Sequence, residues 1–407
     1  MRLVEKIIAS HADRESVRVG EILPVRVDRI YIHDGNSPTI AKIFEKYDFT
    51  SVFDSSRIAV FHDHSVLPPD VAIADRLREA EAFGKKFSLQ VFRAGDGISH
   101  ILALEAGWFQ PGNIVLGSDS HTCTGGVVQS LALGMGASDI AAAMIMGETW
   151  LRVPESICLS TKGTPSRHTR SKDVLLYALA RFGEMTLLYR SIEWSGSWVE
   201  SLTLNSATTV ANMAVEFGAK CAFLPPGKDR PAELEPLGVN EDEYAEYFHL
   251  DIDGLPPFIA KPHTPTNAVP IDQCRGQSIN YVFVGSCTNG HLEDVAEVAR
   301  VLEGQRVRQG VHMVVTPASK SIYLEAMRRG YLETILTAGA MVTPPGCGSC
   351  VGTQGPIPAT GDRVISTMNR NFLGRMGNRN AEIYLASPLV AAHAALLGEI
   401  PGESDMA

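Results

Sequence analysis

The sequence predicts an α/β protein with more than one domain. Its 407 residues exceed what a single ordinary hydrophobic core accommodates. Short runs of β-branched and aliphatic residues alternate with helix-like stretches, as in proteins where strands and helices take turns along the chain. Three predicted strands end in loops of polar residues, and in open α/β sheets such loops build the binding crevice.

Four apolar runs predict the strands that matter for function. They span residues 57–61, 113–116, 281–284 and 312–315. The polar loops after the first three runs are His62-Asp63-His64, Gly117-Ser118-Asp119-Ser120-His121 and Gly285-Ser286-Cys287. We therefore expect these three loops to contribute to one crevice at the carboxyl ends of the strands.

Two helices are predicted between these strands. Residues 292–302 carry acidic residues in their first turn, where the helix dipole favours negative charge. In residues 206–217, Ser206 is the predicted N-cap and Gly218 the residue that ends the helix. Asn212 and Glu216 are four residues apart and would share one face. The Glu216 carboxylate needs a partner there, because its neighbours are largely apolar.

Composition shifts suggest two domain boundaries. One lies near Gly163-Thr164-Pro165, and the other follows the proline-rich stretch of residues 254–265. The predicted domains are 1–162, 163–273 and 274–407.

The overall charge excludes some functions. The formal net charge is −10, which argues against a general nucleic-acid-binding surface. Apolar runs are too short for a membrane span, and the N-terminus lacks a signal-peptide pattern, so we expect a cytoplasmic protein. Seven cysteines, an odd number, argue against a disulfide framework.

Three of the cysteines fall in two glycine-rich turns. Cys287 lies in residues 284–290, and Cys347 and Cys350 lie in residues 345–350. Three thiolates are one fewer than hold an electron-carrying iron–sulfur cube, so the pattern suggests a cluster with one open metal position. Half of a zinc site or a redox dithiol are the alternatives for Cys347-x-x-Cys350. Cys123 is expected to line the pocket, with a fourth-ligand role as the alternative.

Paired acids, imidazoles and arginines supply the other candidate site residues. Asp63-His64 and Asp119-Ser120-His121 place carboxylates beside imidazoles, which suits general acid catalysis. Arg370 and Arg375 lie five residues apart in a glycine-bearing loop and suit substrate carboxylates. The structural alternatives are ordinary loop hydrogen bonds for the Asp-His pairs and an exposed surface loop for the arginines.

Taken together, these motifs resemble the aconitase superfamily, and within it the 3-isopropylmalate dehydratase and homoaconitase large subunits of the shorter archaeal type. The resemblance covers essentially the whole chain. The motifs that carry it are Gly117-Ser118-Asp119-Ser120-His121-Thr122, Gly285-Ser286-Cys287-Thr288-Asn289, Cys347-Gly348-Ser349-Cys350 and Asn369-Arg370-Asn371-Phe372-x-Gly374-Arg375. It implies three aconitase-like α/β domains around a central cleft, without the swivelling fourth domain.

The resemblance also implies roles for individual residues. The implied ligands of a [4Fe-4S] cluster are Cys287, Cys347 and Cys350. The implied catalytic residues are Asp63, His64, His100, Asp119, His121 and Glu216. The implied substrate-binding residues are Arg370, Arg375 and Ser37, and the implied residues near the cluster are Asn212 and Asn369. In the loop that contains Ser37, Asp34 and Asn36 depart from the commoner Glu and Thr of the family.

The implied reaction removes water from a hydroxy alkyl diacid and adds it back with the opposite regiochemistry. The expected substrate pair is 3-isopropylmalate and 2-isopropylmalate of leucine biosynthesis. Homoaconitase or another alkylmalate dehydratase, of the dimethylmalate type for example, is the alternative. The expected partner is a small subunit that carries the swivelling domain, with a catalytic serine and further arginines. An RNA-binding regulator in the apo form and a catalytically inactive scaffold are alternatives from other functional classes.

Overall fold

The computed structural model describes residues 1–183 and 186–406. The strands are β1 (Ile22–Arg26), β2 (Arg29–His33), β3 (Ile58–Phe61), β4 (Gln90–Phe92), β5 (Ile114–Gly117), β6 (Leu131–Gly134), β7 (Glu148–Arg152), β8 (Ser156–Lys162), β9 (Ser191–Ser195), β10 (Cys221–Phe223), β11 (Glu246–Asp251), β12 (Phe258–Ala260), β13 (Ala268–Pro270), β14 (Tyr281–Val284), β15 (His312–Val315), β16 (Met341–Val342), β17 (Arg363–Ser366) and β18 (Glu382–Leu385).

The α-helices lie between and around these strands. They are α1 (Leu3–His11), α2 (Ser37–Lys46), α3 (Val71–Lys86), α4 (Ser99–Glu105), α5 (Ala137–Met146), α6 (Ser171–Phe182), α7 (Ser197–Ser201), α8 (Leu204–Asn212), α9 (Ser286–Asn289), α10 (Leu292–Leu302), α11 (Lys320–Arg328), α12 (Tyr331–Thr337) and α13 (Pro388–Leu397). In the described ranges, no helix has both the length and the apolar character of a membrane span.

Three larger sheets organise the described part of the chain. A five-stranded parallel sheet has the order β4-β3-β2-β5-β6, and a four-stranded parallel sheet has the order β10-β9-β8-β11. The third is a seven-stranded mixed sheet with the order β13-β12-β18-β17-β14-β15-β16. In it β12 pairs antiparallel with both of its neighbours, whereas the other pairs are parallel. The predicted α/β class is confirmed.

The central strands are apolar along their whole length because both faces of their sheets are covered. Every residue of β3, β5 and β14 is buried. The predicted strands 281–284 and 312–315 match β14 and β15. The prediction 57–61 begins one residue before β3, and the prediction 113–116 is shifted by one residue at both ends relative to β5. Residue 57 falls outside β3 because it closes a short 3-10 turn, Ser55–Arg57, which Asp54 caps.

The chain passes from one of the three larger sheets to the next at two places in the sequence. Strand β7 pairs with β1, and the next strand, β8, belongs to the four-stranded sheet. Strand β11 is the last member of that sheet, and β12 begins the seven-stranded sheet. The domain boundaries 1–162, 163–273 and 274–407 stay predictions, and the sheets change somewhat before each of them.

One predicted helix is confirmed and the other is corrected. Helix α10 spans Leu292–Leu302 as expected. The helix predicted from Ser206 begins earlier, because the hydroxyl of Thr203 caps it by accepting the Ser206 N–H. The α-helix also ends at Asn212, and a 3-10 turn over Met213–Phe217 follows. Gly218 terminates this turn with φ of 79°.

Candidate active site

The candidate site is assembled from loops of all three larger sheets. The loops after β3 and β5 come from the five-stranded sheet, and those after β14 and β17 come from the seven-stranded sheet. The 3-10 turn after α8, which precedes β10, adds Glu216. As predicted from their positions after strands, these polar loops lie against one another.

Asp63 and His64 form a short ion pair. Asp63 Oδ1 lies 2.6 Å from His64 Nδ1, and Oδ2 accepts the Ser99 N–H at 2.7 Å. Burial disfavours the Asp63 anion, but the charge of His64 holds the pKa of Asp63 below its usual range. Burial also opposes the His64 cation, yet Asp63 and Asp119 together raise the pKa of His64 well above its ordinary value. His64 is therefore an imidazolium at neutral pH.

Asp119 is the node of the imidazole network. Its Oδ1 lies 3.0 Å from His100 Nε2, accepts the main-chain N–H of His121 at 2.7 Å and lies 3.5 Å from the ring Nδ1 of His121. Its Oδ2 lies 3.6 Å from His64 Nε2. Burial would raise the pKa of Asp119, but the hydrogen bonds from His100, His121 and His64 hold it well below its ordinary value. The other ring nitrogen of His100, Nδ1, lies 2.7 Å from the Tyr31 hydroxyl. Three imidazoles thus converge on one carboxylate.

The Glu216 carboxylate has the polar partners that its apolar surroundings make necessary. Its Oε1 lies 2.9 Å from His121 Nε2 and 2.9 Å from Arg370 Nε. Burial disfavours the anion, but His121 and Arg370 lower the pKa of Glu216 below its ordinary value. The charge of Arg370 is therefore matched inside the protein, and its Nη1 donates to Ser120 Oγ at 3.1 Å.

Arg375 differs from Arg370 in how its charge is matched. No carboxylate oxygen in residues 1–183 and 186–406 lies within 4.0 Å of the Arg375 guanidinium. Its Nη2 lies 3.4 Å from Cys350 Sγ, and its buried Nε has no partner. Of the two predicted carboxylate binders, Arg375 is the one whose charge has no carboxylate partner among the described residues.

The three predicted ligand cysteines are buried, free thiols in the same region. The N–H of Cys347 donates to the carbonyl oxygen of Asp63 at 2.8 Å, which joins the cysteine turn to the Asp63-His64 loop. The Ser286 hydroxyl lies 3.8 Å from Cys287 Sγ and 3.9 Å from Cys350 Sγ. Asn369 Nδ2 lies 3.4 Å from Cys287 Sγ. Polar hydrogens therefore face these sulfur atoms.

The spacing of the sulfur atoms tests the zinc alternative. Among the described residues, the group whose ligand atoms all lie within 4.8 Å of one another is His33, Asp34, Asp63 and His64, and the three thiols do not form such a group. Zinc–sulfur bonds of about 2.3 Å would bring the sulfurs closer than that. The three thiols are therefore not placed as the ligands of one zinc ion would be.

The remaining predicted residues have defined contacts. Asn212 Nδ2 donates to Thr124 Oγ1 at 2.8 Å, and its Oδ1 lies 3.4 Å from Asn369 Nδ2. Ser37 is buried at the start of α2, where its hydroxyl donates to the His33 carbonyl at 2.8 Å. The Cys123 thiol is buried 3.4 Å from the Asn212 carbonyl oxygen.

Sequence reasoning placed Ser37 of the loop after β2 at the site, but it did not foresee that Asp34 and His33 of this loop contact the Asp63-His64 loop. The Asp34 carboxylate accepts the N–H groups of residues 63–65, at 3.0–3.4 Å. The His33 ring stacks on His64, with centroids 4.1 Å apart and planes 22° apart. The signal was available, because residues 29–33 form a short, largely apolar run that ends in His33 and is followed by Asp34, and this run pairs with β3.

Comparison with known proteins decides the family. The model of the Aconitase family (aconitate hydratase) matches residues 5–398. The chain belongs to the aconitase family. Members of this family bind a [4Fe-4S] cluster.

Several relatives of this aconitase-family chain match along its whole length. The 3-isopropylmalate dehydratase large subunit 1 of Pyrococcus furiosus is 40% identical over 100% of this chain and 99% of its own. The protein of the same name from Pyrococcus abyssi is 38% identical with the same coverage. The 3-isopropylmalate dehydratase large subunit of Caldanaerobacter subterraneus is 39% identical over 98% of both chains.

A solved structure shows the fold. The holo-form of aconitase X from Thermococcus kodakaraensis matches with a TM-score of 0.57, at 13% identity, over 91% of this chain and 90% of its own. The predicted aconitase-like architecture is therefore confirmed at the level of the fold.

Proposed function

We propose that this chain is the large catalytic subunit of a [4Fe-4S]-dependent hydro-lyase that isomerises 3-isopropylmalate and 2-isopropylmalate. The proposal depends on the contact between the turn that carries Cys347 and the loop that carries Asp63 and His64. The Cys347 N–H bonds the carbonyl of Asp63, whose side chain holds the charged His64. Full-length identity of 40% to a 3-isopropylmalate dehydratase large subunit supports the substrate.

Cys287, Cys347 and Cys350 would hold the cluster. When bound with three thiolates, such a cluster supplies a Lewis acid that polarises a C–OH bond. Burial raises the pKa of Cys287 to about 12 and that of Cys347 well above its ordinary value, so the thiols ionise as they bind metal. Donors from Ser286, Asn369 and Arg375 then face sulfurs that carry negative charge.

His64 is the proposed general acid for the departing hydroxyl. Its Nδ1 proton is committed to Asp63 at 2.6 Å, so the proton for the leaving oxygen comes from Nε2. The Asp119 carboxylate, 3.6 Å from Nε2, attracts this proton electrostatically before transfer. In the hydration direction, Nε2 takes the proton back from water.

The other network residues orient this acid and the water. Asp119 collects bonds from His100 and His121, and Glu216 fixes the far side of His121. Arg375 binds a substrate carboxylate through its free donors, whereas Arg370 stays with Glu216 and presents its Nη1 beside Ser120.

We propose that a small subunit completes the site. The relatives are named as large subunits, which implies a smaller partner. In this proposal the partner supplies the serine that removes the C–H proton, together with further arginines for the second carboxylate.

The test is anaerobic co-expression of this chain with its small subunit, followed by a hydratase assay at the ultraviolet absorbance of the enoate. A panel of cis-alkene diacids that includes the isopropyl, homoaconitate and dimethyl compounds identifies the substrate. We expect the highest kcat/KM with the isopropyl compound. A higher kcat/KM with another diacid would change the assigned substrate but not the proposed reaction class.

Cys347→Ser tests the cluster assignment separately. We expect loss of both the brown colour and activity, because one of three thiolates is removed. The control is Cys158→Ser, a buried cysteine whose thiol lies 3.3 Å from Ser195 Oγ in the four-stranded sheet. Normal iron content and colour in Cys347→Ser would refute the ligand set.

A further inference from the structure

Tyr31 lies behind the imidazole network and has no role in the reaction proposed above. It belongs to β2 and is 0% exposed, and its ring packs edge-on against Phe61 and Phe109, with centroids 5.4 and 6.3 Å away. A phenol hydroxyl buried in this way needs hydrogen-bond partners inside the protein. The Tyr31 hydroxyl has two, because it lies 2.7 Å from His100 Nδ1 and 3.0 Å from Thr122 Oγ1.

The directions of these hydrogen bonds follow from the groups that can only accept. Thr122 Oγ1 lies 2.6 Å from the main-chain carbonyl oxygen of Asp119, so its one hydroxyl proton is donated there. The Thr122 oxygen therefore accepts from Tyr31, and the one proton of the Tyr31 hydroxyl is donated to it. Since that proton is committed, the Tyr31 oxygen accepts from His100 Nδ1, which must carry a proton.

The second ring nitrogen of His100 is also protonated. Its partner at 3.0 Å is Asp119 Oδ1, which also accepts the main-chain N–H of His121 at 2.7 Å. An ionised carboxylate only accepts hydrogen bonds, so His100 Nε2 is the donor. Both ring nitrogens then carry protons, and His100, which is 2% exposed, is an imidazolium whose counter-charge is Asp119.

The fold leaves space for the contact between the two hydroxyls at one glycine. Gly117 is the last residue of β5, and a Cβ there would lie 2.1 Å from Thr122 Oγ1 and 2.7 Å from Tyr31 Cζ. Any larger residue would therefore collide with both side chains. Thr122 is also 0% exposed, so bulk solvent does not reach the contact. The Tyr31 hydroxyl thus has a fixed donor direction.

The charge of His100 affects the general acid because the two histidines share one carboxylate. Asp119 Oδ1 lies 3.0 Å from His100 Nε2, and Oδ2 lies 3.6 Å from His64 Nε2. A positive charge on His100 offsets part of the attraction of Asp119 for the His64 proton, which makes His64 a stronger acid. The other titratable groups that face the two rings are His121, with its ring centroid 6.4 Å from that of His100, and Asp63, Asp34 and His33 around His64.

We propose that Tyr31 is a positioning residue that acts together with Thr122. The pair holds His100 in its doubly protonated form and thereby keeps His64 acidic enough to donate its Nε2 proton. Tyr31 does this without touching the substrate, because its hydroxyl is committed to His100 and Thr122. The role of His64 rests on the proposed function, whereas the protonation of His100 is inferred from the hydrogen bonds alone.

Tyr31→Phe and Thr122→Val test the hydrogen-bond chain at two points. Phenylalanine keeps the buried ring and removes the acceptor of the His100 Nδ1 proton. Valine keeps the shape of Thr122 but frees the Tyr31 proton, which can then be donated to Nδ1. In the full chain with isotope-labelled histidine, we expect NMR to show both His100 ring nitrogens protonated at neutral pH in the wild type and one unprotonated in each variant. The spectrum of His100→Gln assigns the signals.

The same variants have an expected effect on catalysis in the co-expressed complex. The pKa of His64 should rise further, because no second positive charge remains beside Asp119. Its protonated form should then persist to higher pH, and the alkaline limb of the kcat/KM profile should move upward by about one pH unit. A loss of packing alone would lower kcat/KM without moving this limb.

Two controls accompany these variants. Thr122→Ser keeps the hydroxyl and should keep the wild-type limb and the wild-type protonation of His100. Tyr384→Phe removes another buried tyrosine hydroxyl, which lies 3.0 Å from Gln277 Oε1, and should change neither.

The outcomes separate this inference from the proposed function. An unprotonated ring nitrogen on His100 in the wild type at neutral pH would overturn the inference, whether or not the complex is active. If both nitrogens are protonated and neither variant moves the alkaline limb of an active complex, the link to His64 is wrong. A complex that hydrates none of the diacids would refute the proposed function and the acid role of His64, and the NMR comparison would still decide the protonation of His100. Loss of one His100 proton together with an upward limb in both variants supports the inference.

Discussion

Replacing Asp63 by Asn should move the pH dependence of catalysis without disturbing the structure around it. The Asn side chain has nearly the same shape, and its oxygen can still accept the Ser99 N–H. The bond from the Cys347 N–H goes to the main chain of residue 63, so it is retained. What is lost is the negative charge 2.6 Å from His64 Nδ1.

The expected shift in the pKa of His64 follows from its distance to the Asp63 carboxylate. An opposite charge within about 4–6 Å shifts a pKa by roughly 1–3 units, which is about 1.4–4 kcal/mol. The pKa of His64 is raised in the folded protein, so its protonated form is present at neutral pH and is lost as pH rises through that value. In Asp63→Asn the loss should occur about 1–3 pH units lower. Above that point, kcat/KM should fall about 10- to 1000-fold.

The assay is the pH profile of kcat/KM for hydration of the enoate by the loaded complex. A titration of the His64 ring by NMR in the isolated chain gives the same shift without a cluster. Asp28→Asn is the matched control, because Asp28 also pairs with a histidine, with Oδ2 2.8 Å from His11 Nε2. An alkaline limb at the wild-type position in Asp63→Asn would refute His64 as the acid.

Three further predictions test the site and the fold. Arg375→Lys should raise KM about 10- to 100-fold with a smaller effect on kcat in steady-state kinetics, because lysine cannot form the bidentate contact; an unchanged KM would contradict carboxylate binding by Arg375. Thr203→Ala should lower the free energy of unfolding in urea by about 1 kcal/mol, since it removes the N-cap of α8, and a loss below about 0.2 kcal/mol would argue against the cap. Gly126→Ala should lower the melting temperature markedly, because its Cβ would lie 1.6 Å from the Ala222 carbonyl oxygen. Gly20→Ala, where φ is positive but no atom lies within 4 Å of the added Cβ, is the comparison for backbone strain without a clash.

The sequence predicted the strands and the loops that carry the chemistry because buried parallel strands have a strong local signature. Residues 281–284 and 312–315 were predicted without error, since β14 is a continuous apolar run and β15 is apolar and buried after His312. The start of α8 was misplaced because Ser206 and Thr203 are both good N-caps, and local sequence does not choose between them. The 3-10 turn after Asn212 has no local signature either.

The pairings within the site required the fold. Glu216 needed a partner, but Arg370 lies 154 residues further along the chain. The sequence therefore does not show that Arg370 pairs with Glu216 while Arg375 has no carboxylate partner among the described residues.

The bond between the Cys347 N–H and the Asp63 carbonyl has a consequence for biogenesis. It ties a turn near the end of the chain to a loop near its beginning, across 284 residues. This contact therefore forms only after nearly the entire polypeptide has left the ribosome and its layers have docked. Under the proposed function, the cluster would be delivered late, to a folded chain rather than to a nascent one.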